Sequence, residues 1–296
     1  MLITPLHLEA TLSMPTSSWK SITIPLAWGK LSGLSYGEGP TVLCLHGWLD
    51  NAASFVPLVP LLPKGNRYVA IDMAGHGHSD HRPAGTFYHY FDYLSDLVEV
   101  LDVLKVDDVS LLSHSLGGTI ASVFSATFPE RVRRLVLLES LGPLTRKPEE
   151  APERLRRYLS ATRKLRLAPT SRYATLDEAV AARRRASPLS EPAARLLVER
   201  NAMVDVAGVR WRSDRRLLLP WPTSLTEEQA MAFLSSIHCP TLLVRAEPGY
   251  EVPEGLWERR KSAIADLKMV TVAGDHHVHM DAPAEVATHV APFLAG

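Results

Sequence analysis

The run Leu111-Leu112-Ser113-His114-Ser115-Leu116-Gly117-Gly118 decides the fold of this chain. It joins a short apolar strand to a helix through a turn in which Ser113 and Gly117 lie two positions on either side of Ser115. A serine on so tight a turn has a strained backbone, and small neighbours allow the strand and the helix to approach each other. The pattern predicts a nucleophile elbow with Ser115 as the nucleophile. Its first small residue is usually a glycine, and Ser113 is small enough to replace it.

Apolar runs and helix-length segments alternate on both sides of this turn. Continuous apolar runs, typical of strands buried on both faces of a parallel sheet, occupy residues 41–45, 68–71, 109–112 and 135–138. Helices are predicted at residues 55–62, 90–104 and 116–128. A leading antiparallel hairpin is expected at residues 22–26 and 31–36, and the alternation resumes at residues 241–244, 256–265, 268–272 and 283–294. This order predicts an α/β protein with a mostly parallel, doubly wound sheet and a ligand site at the carboxyl ends of its strands.

A segment without strand patterns interrupts this alternation. Residues 141–236 are rich in Arg and Ala, are broken by several prolines, and hold about twice as many basic as acidic residues between 146 and 216. Such a composition favours a helical insertion. We therefore predict a core domain from residues 1–140 and 237–296, with residues 141–236 forming a helical cap inserted after the strand that ends near Glu139.

The composition excludes several classes of protein. Apolar residues make up 46% and charged residues 22% of the 296 residues, as in ordinary globular enzymes, and the 32 basic and 32 acidic residues give a net charge of +0. Nothing in this balance favours a nucleic-acid or membrane-surface partner. The first 20 residues lack a secretory pattern, no run approaches a membrane span, and Cys44 and Cys239 are too few for a disulfide framework. We expect a cytoplasmic monomer or homodimer that acts on a small molecule.

Two further turns follow predicted strands. Leu45-His46-Gly47-Trp48 could direct the Trp48 backbone N–H toward Ser115, where it would form an oxyanion hole with the N–H of Leu116; the alternative is a plain strand-ending turn. The second turn, Asp72-Met73-Ala74-Gly75-His76-Gly77-His78-Ser79, contains two histidines without a Cys or carboxylate at ligand spacing. We therefore expect turn geometry there and no metal site.

Together these runs resemble the capped α/β-hydrolase family. Three later runs are similar to its serine hydrolase-like branch: Arg210-Trp211-Arg212-Ser213-Asp214, Leu225-Thr226-Glu227-Glu228-Gln229 and Cys239-Pro240-Thr241-Leu242-Leu243-Val244. The resemblance implies a Ser-His-acid triad in that chain order and acyl transfer to water, without a cofactor or metal.

The histidine of the triad is sought in Gly274-Asp275-His276-His277-Val278-His279-Met280-Asp281-Ala282-Pro283. In the family the catalytic histidine follows the last strand and lies seven residues before the proline that opens the final helix. This spacing selects His276, and leaves His277 and His279 as neighbours in the loop.

The acid is less directly indicated. Family members commonly carry an aspartate where this chain has Gly249, which is flanked by Glu247 and Glu251. A second arrangement in the family places the carboxylate after the strand that follows the nucleophile's helix, where this chain has Glu139. An unpaired carboxylate at the end of a buried strand is costly, so an imidazolium partner would explain Glu139. We favour Glu139 over Glu251; the alternative is that Glu139 caps a turn or pairs with an arginine.

The function expected from these residues is hydrolysis of a carboxylic ester through an acyl-enzyme. We expect His114 and Trp211 to contact the substrate, with Trp221 and Tyr158 also roofing the pocket. A carbon–carbon bond hydrolase, a lactonase or a cofactor-free haloperoxidase-like enzyme could use the same triad, and a non-catalytic ligand-binding protein could use the same fold. Dehalogenase and epoxide hydrolase chemistry is disfavoured because those relatives have an aspartate in place of Ser115. Inward-facing cap arginines would favour an anionic substrate, although solvated arginines are the commoner case.

Overall fold

A single large sheet forms the centre of the protein. The computed structural model describes residues 18–167, 171–253 and 255–296. In chain order its strands are β1 (Lys20–Leu26), β2 (Gly29–Tyr36), β3 (Thr41–Leu45), β4 (Arg67–Ile71), β5 (Val109–His114), β6 (Val132–Leu138), β7 (Ala202–Asp205), β8 (Gly208–Trp211), β9 (Thr241–Pro248) and β10 (Leu267–Gly274). The sheet has the order β1-β2-β4-β3-β5-β6-β9-β10, while β7 and β8 form a separate hairpin.

The topology of the sheet determines where a ligand can bind. Strands β4, β3, β5, β6, β9 and β10 are parallel. Strand β2 pairs antiparallel with β4, and β1 pairs antiparallel with β2 in the leading hairpin. The chain moves from β3 outward to β4 and then returns to place β5 on the other side of β3. Such a reversal opens a crevice at the carboxyl ends of the strands. The predicted α/β class and its mostly parallel, doubly wound sheet are confirmed.

Helices cover both faces of this sheet. They are α1 (Tyr90–Leu104), α2 (Leu116–Thr127), α3 (Ala151–Leu167), α4 (Leu176–Ala186), α5 (Glu191–Asn201), α6 (Glu227–Ser235), α7 (Leu256–Lys261), α8 (Val278–Asp281) and α9 (Pro283–Ala295). Because successive strand side chains point to opposite faces, Leu111 packs in the layer that contains α1 and α2, whereas Leu112 packs in the layer that contains α9. Both layers are apolar, as the continuous apolar runs predict.

Two predicted helices differ from the structure, and one hairpin is not predicted. The helix expected at residues 55–62 is replaced by two short 3-10 turns, Ala52–Phe55 and Val59–Leu61. The prolines at 57, 60 and 63 explain the difference, because each lacks a backbone N–H for a continuous α-helix. The helix expected at residues 256–265 ends early, at Lys261. The β7–β8 hairpin lies in the cap, where no strand is predicted from the sequence.

Residues 141–236, the segment predicted to form a cap and called the cap for brevity, contain α3 to α6 and the β7–β8 hairpin. A small apolar cluster that includes Val180, Leu197 and Val209 joins its elements. Buried polar contacts attach the cap to the strand ends of the core, including the 2.8 Å ion pair between Arg200 Nη2 and Asp72 Oδ2. None of the helices within the described ranges has the length and apolar character needed to cross a membrane.

Candidate active site

The nucleophile elbow adopts the strained backbone that its sequence predicts. Ser115 lies between β5 and α2 with φ 49° and ψ −113°, a conformation that residues with a side chain rarely adopt. Gly117 allows the close approach behind it, because a Cβ there would lie 2.1 Å from the carbonyl oxygen of Leu45. Gly118 is also constrained, because a Cβ there would lie 2.6 Å from the Cβ of Ser140. The turn therefore presents Ser115 at the carboxyl end of the sheet.

His276 lies beside this serine. It follows β10, and its Nε2 is 2.8 Å from Ser115 Oγ. The two neighbouring histidines face other residues: His277 contacts Asp50, and His279 Nε2 is 2.7 Å from Ser54 Oγ. Of the three histidines in this run, the structure brings His276 to the nucleophile.

Glu139 lies on the other side of the imidazole. Its Oε2 is 3.3 Å from His276 Nδ1, and the carboxylate also accepts the backbone N–H groups of Ala246 at 2.5 Å and Tyr250 at 2.7 Å. Glu139 is 3% exposed and has a positive φ of 55°. Glu251 is exposed at the cavity, and no contact within the described chain joins it to His276.

Steric contacts explain why residue 249 is a glycine in this chain and not an aspartate. A Cβ on Gly249 would lie 2.4 Å from the carbonyl oxygen of Ala246 and 2.8 Å from Glu139 Oε2, and its φ of 58° also favours glycine. The Glu139 carboxylate thus occupies the space into which a side chain at 249 would project. An aspartate at 249 and the observed position of Glu139 are mutually exclusive.

The electrostatics of the site favour a neutral imidazole. Burial lowers the pKa of His276 below its ordinary value, although the hydrogen bond to Glu139 acts in the opposite direction. If His276 Nδ1–H donates to the carboxylate, the Nε2 lone pair faces the Ser115 hydroxyl. In that tautomer His276 can accept the serine proton at neutral pH.

Trp48 and Leu116, the residues predicted to supply oxyanion-hole N–H groups, lie on different elements. Leu116 is the first residue of α2, so its N–H has no helical carbonyl one turn earlier. Trp48 follows the Gly47 turn after β3, and both residues line the same cavity as Ser115. The assignment of their N–H groups to an oxyanion hole stays a prediction.

The cavity above Ser115 has a volume of about 650 Å³. Its wall is mainly apolar and includes Leu141, Leu144, Leu217, Leu219, Trp221 and Trp257. The Tyr250 ring also contributes, with its centroid 5.0 Å from that of His276. Tyr250 and Trp257 have no motif that would have identified them in the sequence, because they enter the site only through the folding of the chain after β9.

The expected substrate contacts of three residues need correction. Trp211 does not line this cavity within the described chain; it packs against Tyr173 in the cap, with ring centroids 5.3 Å apart. Tyr158 likewise packs against Phe87 and lies outside the cavity wall. The placement on β8 and α3 directs both rings into local contacts. His114 lines the cavity but is 0% exposed, and it supports His276 from behind by donating from Nε2 to the His276 carbonyl at 2.9 Å.

Comparisons with known proteins agree with this fold. A family model described as alpha/beta hydrolase fold matches residues 40–283. The chain therefore belongs to the α/β-hydrolase fold family, in its serine hydrolase-like branch. It is 35% identical over 283 residues to a serine hydrolase-like protein of Danio rerio, covering 92% of this chain and 87% of the relative. It is 31% identical to serine hydrolase-like protein 2 of Homo sapiens, covering 92% and 93% of the two chains.

A solved structure is also similar along almost the whole chain. A hypothetical protein of Pseudomonas aeruginosa PAO1 superposes with a TM-score of 0.89 and is 39% identical. The match covers 93% of this chain and 99% of the other. The similarity thus extends over nearly the whole length of both chains.

Proposed function

We propose that this protein is a serine hydrolase that cleaves carboxylic esters through a Ser115-His276-Glu139 triad. The 2.8 Å contact between His276 Nε2 and Ser115 Oγ, at the base of a largely apolar cavity, carries this proposal. The serine hydrolase-like relatives support the general class. The choice of an ester substrate rests on the chemistry of the site.

The proposed mechanism has two stages. His276 takes the Ser115 proton as the hydroxyl oxygen attacks the ester carbonyl, and the backbone N–H groups of Trp48 and Leu116 stabilise the oxyanion. The alcohol leaves with the proton from His276, and an acyl-enzyme forms. Water then attacks the acyl group with His276 again as the base, and the carboxylic acid leaves as Ser115 Oγ takes the proton back from His276. Glu139 keeps the imidazole in the required tautomer and stabilises its cationic form without taking the proton.

The preferred substrate is a neutral ester with an apolar acyl group. Two arginines of the described chain line the cavity, and each already contacts a carboxylate: Arg183 Nη2 is 2.7 Å from Asp50, and Arg260 Nη2 is 2.8 Å from Glu227. An anionic substrate would have to compete with these carboxylates. The apolar wall instead favours burial of hydrocarbon, worth about 0.8 kcal/mol per methylene.

Covalent labelling and ester hydrolysis test the proposal together. The purified protein is incubated with a fluorophosphonate probe and, separately, with p-nitrophenyl butyrate. We expect one equivalent of probe on Ser115, and loss of labelling and hydrolysis in Ser115→Ala and His276→Ala. The drop should be at least about 10³-fold, because neither group has a substitute in the triad.

Matched controls separate catalysis from surface reactivity. Ser235→Ala and His238→Ala remove an exposed serine and an exposed histidine outside the cavity, and should leave both readouts unchanged. A folded wild-type protein that neither accepts the probe nor hydrolyses any of a series of neutral esters would overturn the ester hydrolase proposal. It would favour a ligand-binding protein on the same fold.

A further inference from the structure

A second group of titratable side chains lies directly behind the triad. Asp50, His114 and His277 are all buried, and one ligand atom from each lies within 4.8 Å of the others. Asp50 Oδ2 is 3.2 Å from His277 Nε2 and 3.4 Å from His114 Nδ1. The three residues come from the loop after β3, the end of β5 and the loop before α8. The proposed mechanism uses none of these three atoms.

The ring of His114 contains an unexplained buried acceptor. Its Nε2 donates to the carbonyl oxygen of His276 at 2.9 Å, so this nitrogen carries the proton. In the neutral ring the lone pair is then on Nδ1. Among the residues that the structure describes, this nitrogen has no hydrogen-bond partner, and it lies 3.4 Å from Asp50 Oδ2. Two acceptors that face each other in a buried site attract a cation between them.

The spacing of these atoms suits a small metal ion. Zinc binds imidazole nitrogen and carboxylate oxygen at about 2.0–2.2 Å in tetrahedral geometry, which separates neighbouring ligand atoms by about 3.4 Å. The two distances from Asp50 Oδ2, 3.2 Å and 3.4 Å, match that separation. Two imidazoles and one carboxylate leave a fourth position for water or another ligand, and all three residues line the cavity.

Neighbouring groups already orient the ligands. A histidine ligand commonly donates its other N–H to a backbone carbonyl, as His114 does to His276. His277 Nδ1 lies 3.4 Å from Ser187 Oγ. Gly47 leaves room beside the group, because a Cβ there would be 2.8 Å from both Asp50 Oδ2 and His114 Nδ1. These contacts fix the direction of two rings and keep the space between them open.

The guanidinium of Arg183 in the cap already pairs with the Asp50 carboxylate. Its Nη2 contacts the other oxygen of Asp50, Oδ1, at 2.7 Å and lies 3.4 Å from His277 Nε2. Because Asp50 forms an ion pair with Arg183, a metal ion and Arg183 would compete for its carboxylate.

We propose that Asp50, His114 and His277 form a binding site for a divalent transition-metal ion of the zinc type, and that Arg183 of α4 competes with the ion. This site is distinct from the triad and does not depend on the ester hydrolase proposal. It does link the cap to the catalytic loop, because an ion that displaces Arg183 from Asp50 also binds the residue next to His276.

Zinc binding to the full chain tests the site directly. We expect isothermal titration with ZnCl₂ and competition with a chromophoric chelator to give one equivalent of bound ion. Asp50→Asn and His277→Gln should each weaken the affinity by at least about 10- to 100-fold, since changes even outside the ligand set have effects of that size. His238→Gln removes an exposed histidine far from the site in sequence and should leave the affinity unchanged.

Arg183→Gln provides a variant with the opposite expected sign. Loss of the competing guanidinium should tighten zinc binding by about tenfold, whereas Arg185→Gln, on the exposed face of the same helix, should not change it. Neither expectation requires hydrolytic activity. The proposal is wrong if the wild-type protein binds no stoichiometric zinc, if the Asp50 and His277 variants bind as well as the wild type, or if Arg183→Gln weakens binding.

Discussion

The core wall and the cap wall of the cavity are built differently. On the core side, Ser115 and Glu139 occupy ends of buried strands and have positive φ angles of 49° and 55°. On the cap side, Leu217, Leu219 and Trp221 come from an irregular stretch between β8 and α6. The core wall holds polar atoms at fixed distances, and the cap wall supplies apolar surface.

This difference separates two kinds of contribution. Strain at Ser115 and Glu139 is maintained only because packed strands and glycines over-determine the backbone there. Small displacements on this side should therefore alter the chemical step steeply. Apolar contacts on the cap side are non-directional and can be exchanged among neighbouring side chains, so changes there should alter binding gradually. The predictions below test this contrast.

Replacement of the acid should have the largest effect on the core side. Glu139→Gln removes the charge that fixes the His276 tautomer and stabilises the imidazolium, and we expect kcat to fall by about 10³- to 10⁴-fold. Glu251→Gln is the matched control on the same cavity, with less than about a threefold change. Steady-state hydrolysis of p-nitrophenyl butyrate measures both. The reverse ranking would make Glu251 the acid.

A side chain at residue 249 should disturb the same wall through the backbone. Gly249→Ala forces a Cβ against Ala246 and Glu139 at a positive φ, at a cost of about 1–3 kcal/mol in the free energy of unfolding. We also expect about a 10- to 100-fold loss of kcat, because the Glu139 carboxylate has to move. Denaturant unfolding and kinetics measure the two effects. Gly255→Ala is the control, since Gly255 also has a positive φ, but a Cβ there would have no atom of the described residues within 4 Å.

The contrast also explains what the sequence could predict. Ser115, Glu139 and His276 come shortly after β5, β6 and β10 in a repeating strand–helix order, so short motifs locate the strand ends near which they lie. The sequence shows a glycine at residue 249, where an aspartate is common in the family. The contact between Gly249 and Glu139 cannot be predicted from the sequence, because the pairing of β6 with β9 brings the two residues together. The local sequence pattern predicts the strands and helices, whereas side-chain contacts across the sheet become visible only in the folded structure.

The contacts of the cap side chains are harder to predict from the sequence for the same reason. Its helices have no alternation that assigns their faces, so the choice of Trp211 over Trp221 had no physical basis in the sequence. The β7–β8 hairpin is short and carries a mixed exposed pattern, which resembles a loop. The grouping of Asp50, His114 and His277 was missed because the three residues lie on separate elements with no common spacing.

Mild acid should destabilise the folded protein through the buried histidines of its core. Burial lowers the pKa values of His46, His114 and His279, and lowers that of His76 to about 3. Because the unfolded chain then binds more protons, stability falls as the pH drops below about 6.5. Each such histidine costs at most about 2 kcal/mol at pH 5.

Thermal unfolding between pH 7.5 and pH 5 measures this loss. The variant His76→Asn lacks one buried imidazole and should show a flatter decline of Tm, whatever its stability at pH 7.5. Aspartates such as Asp50, whose pKa is lowered, add their loss of stability only below about pH 4. A Tm that is constant down to pH 5 would contradict the neutral buried histidines.

The smallest effect is expected on the cap wall. Trp221→Ala removes apolar surface from the cavity, and we expect KM for p-nitrophenyl octanoate to rise by about tenfold with little change in kcat. Trp211→Ala is a matched change of the same residue type, but its ring packs inside the cap against Tyr173 and outside the cavity. It should lower Tm and leave KM nearly constant.

Chain length sharpens this last comparison. If the cap wall binds the acyl group, the penalty of Trp221→Ala should grow from p-nitrophenyl acetate to the octanoate, because only the longer chain reaches the removed surface. An equal penalty for both esters would mean that Trp221 acts on the triad. In that case the cap wall would not serve substrate binding alone, because one of its apolar rings would control the catalytic step.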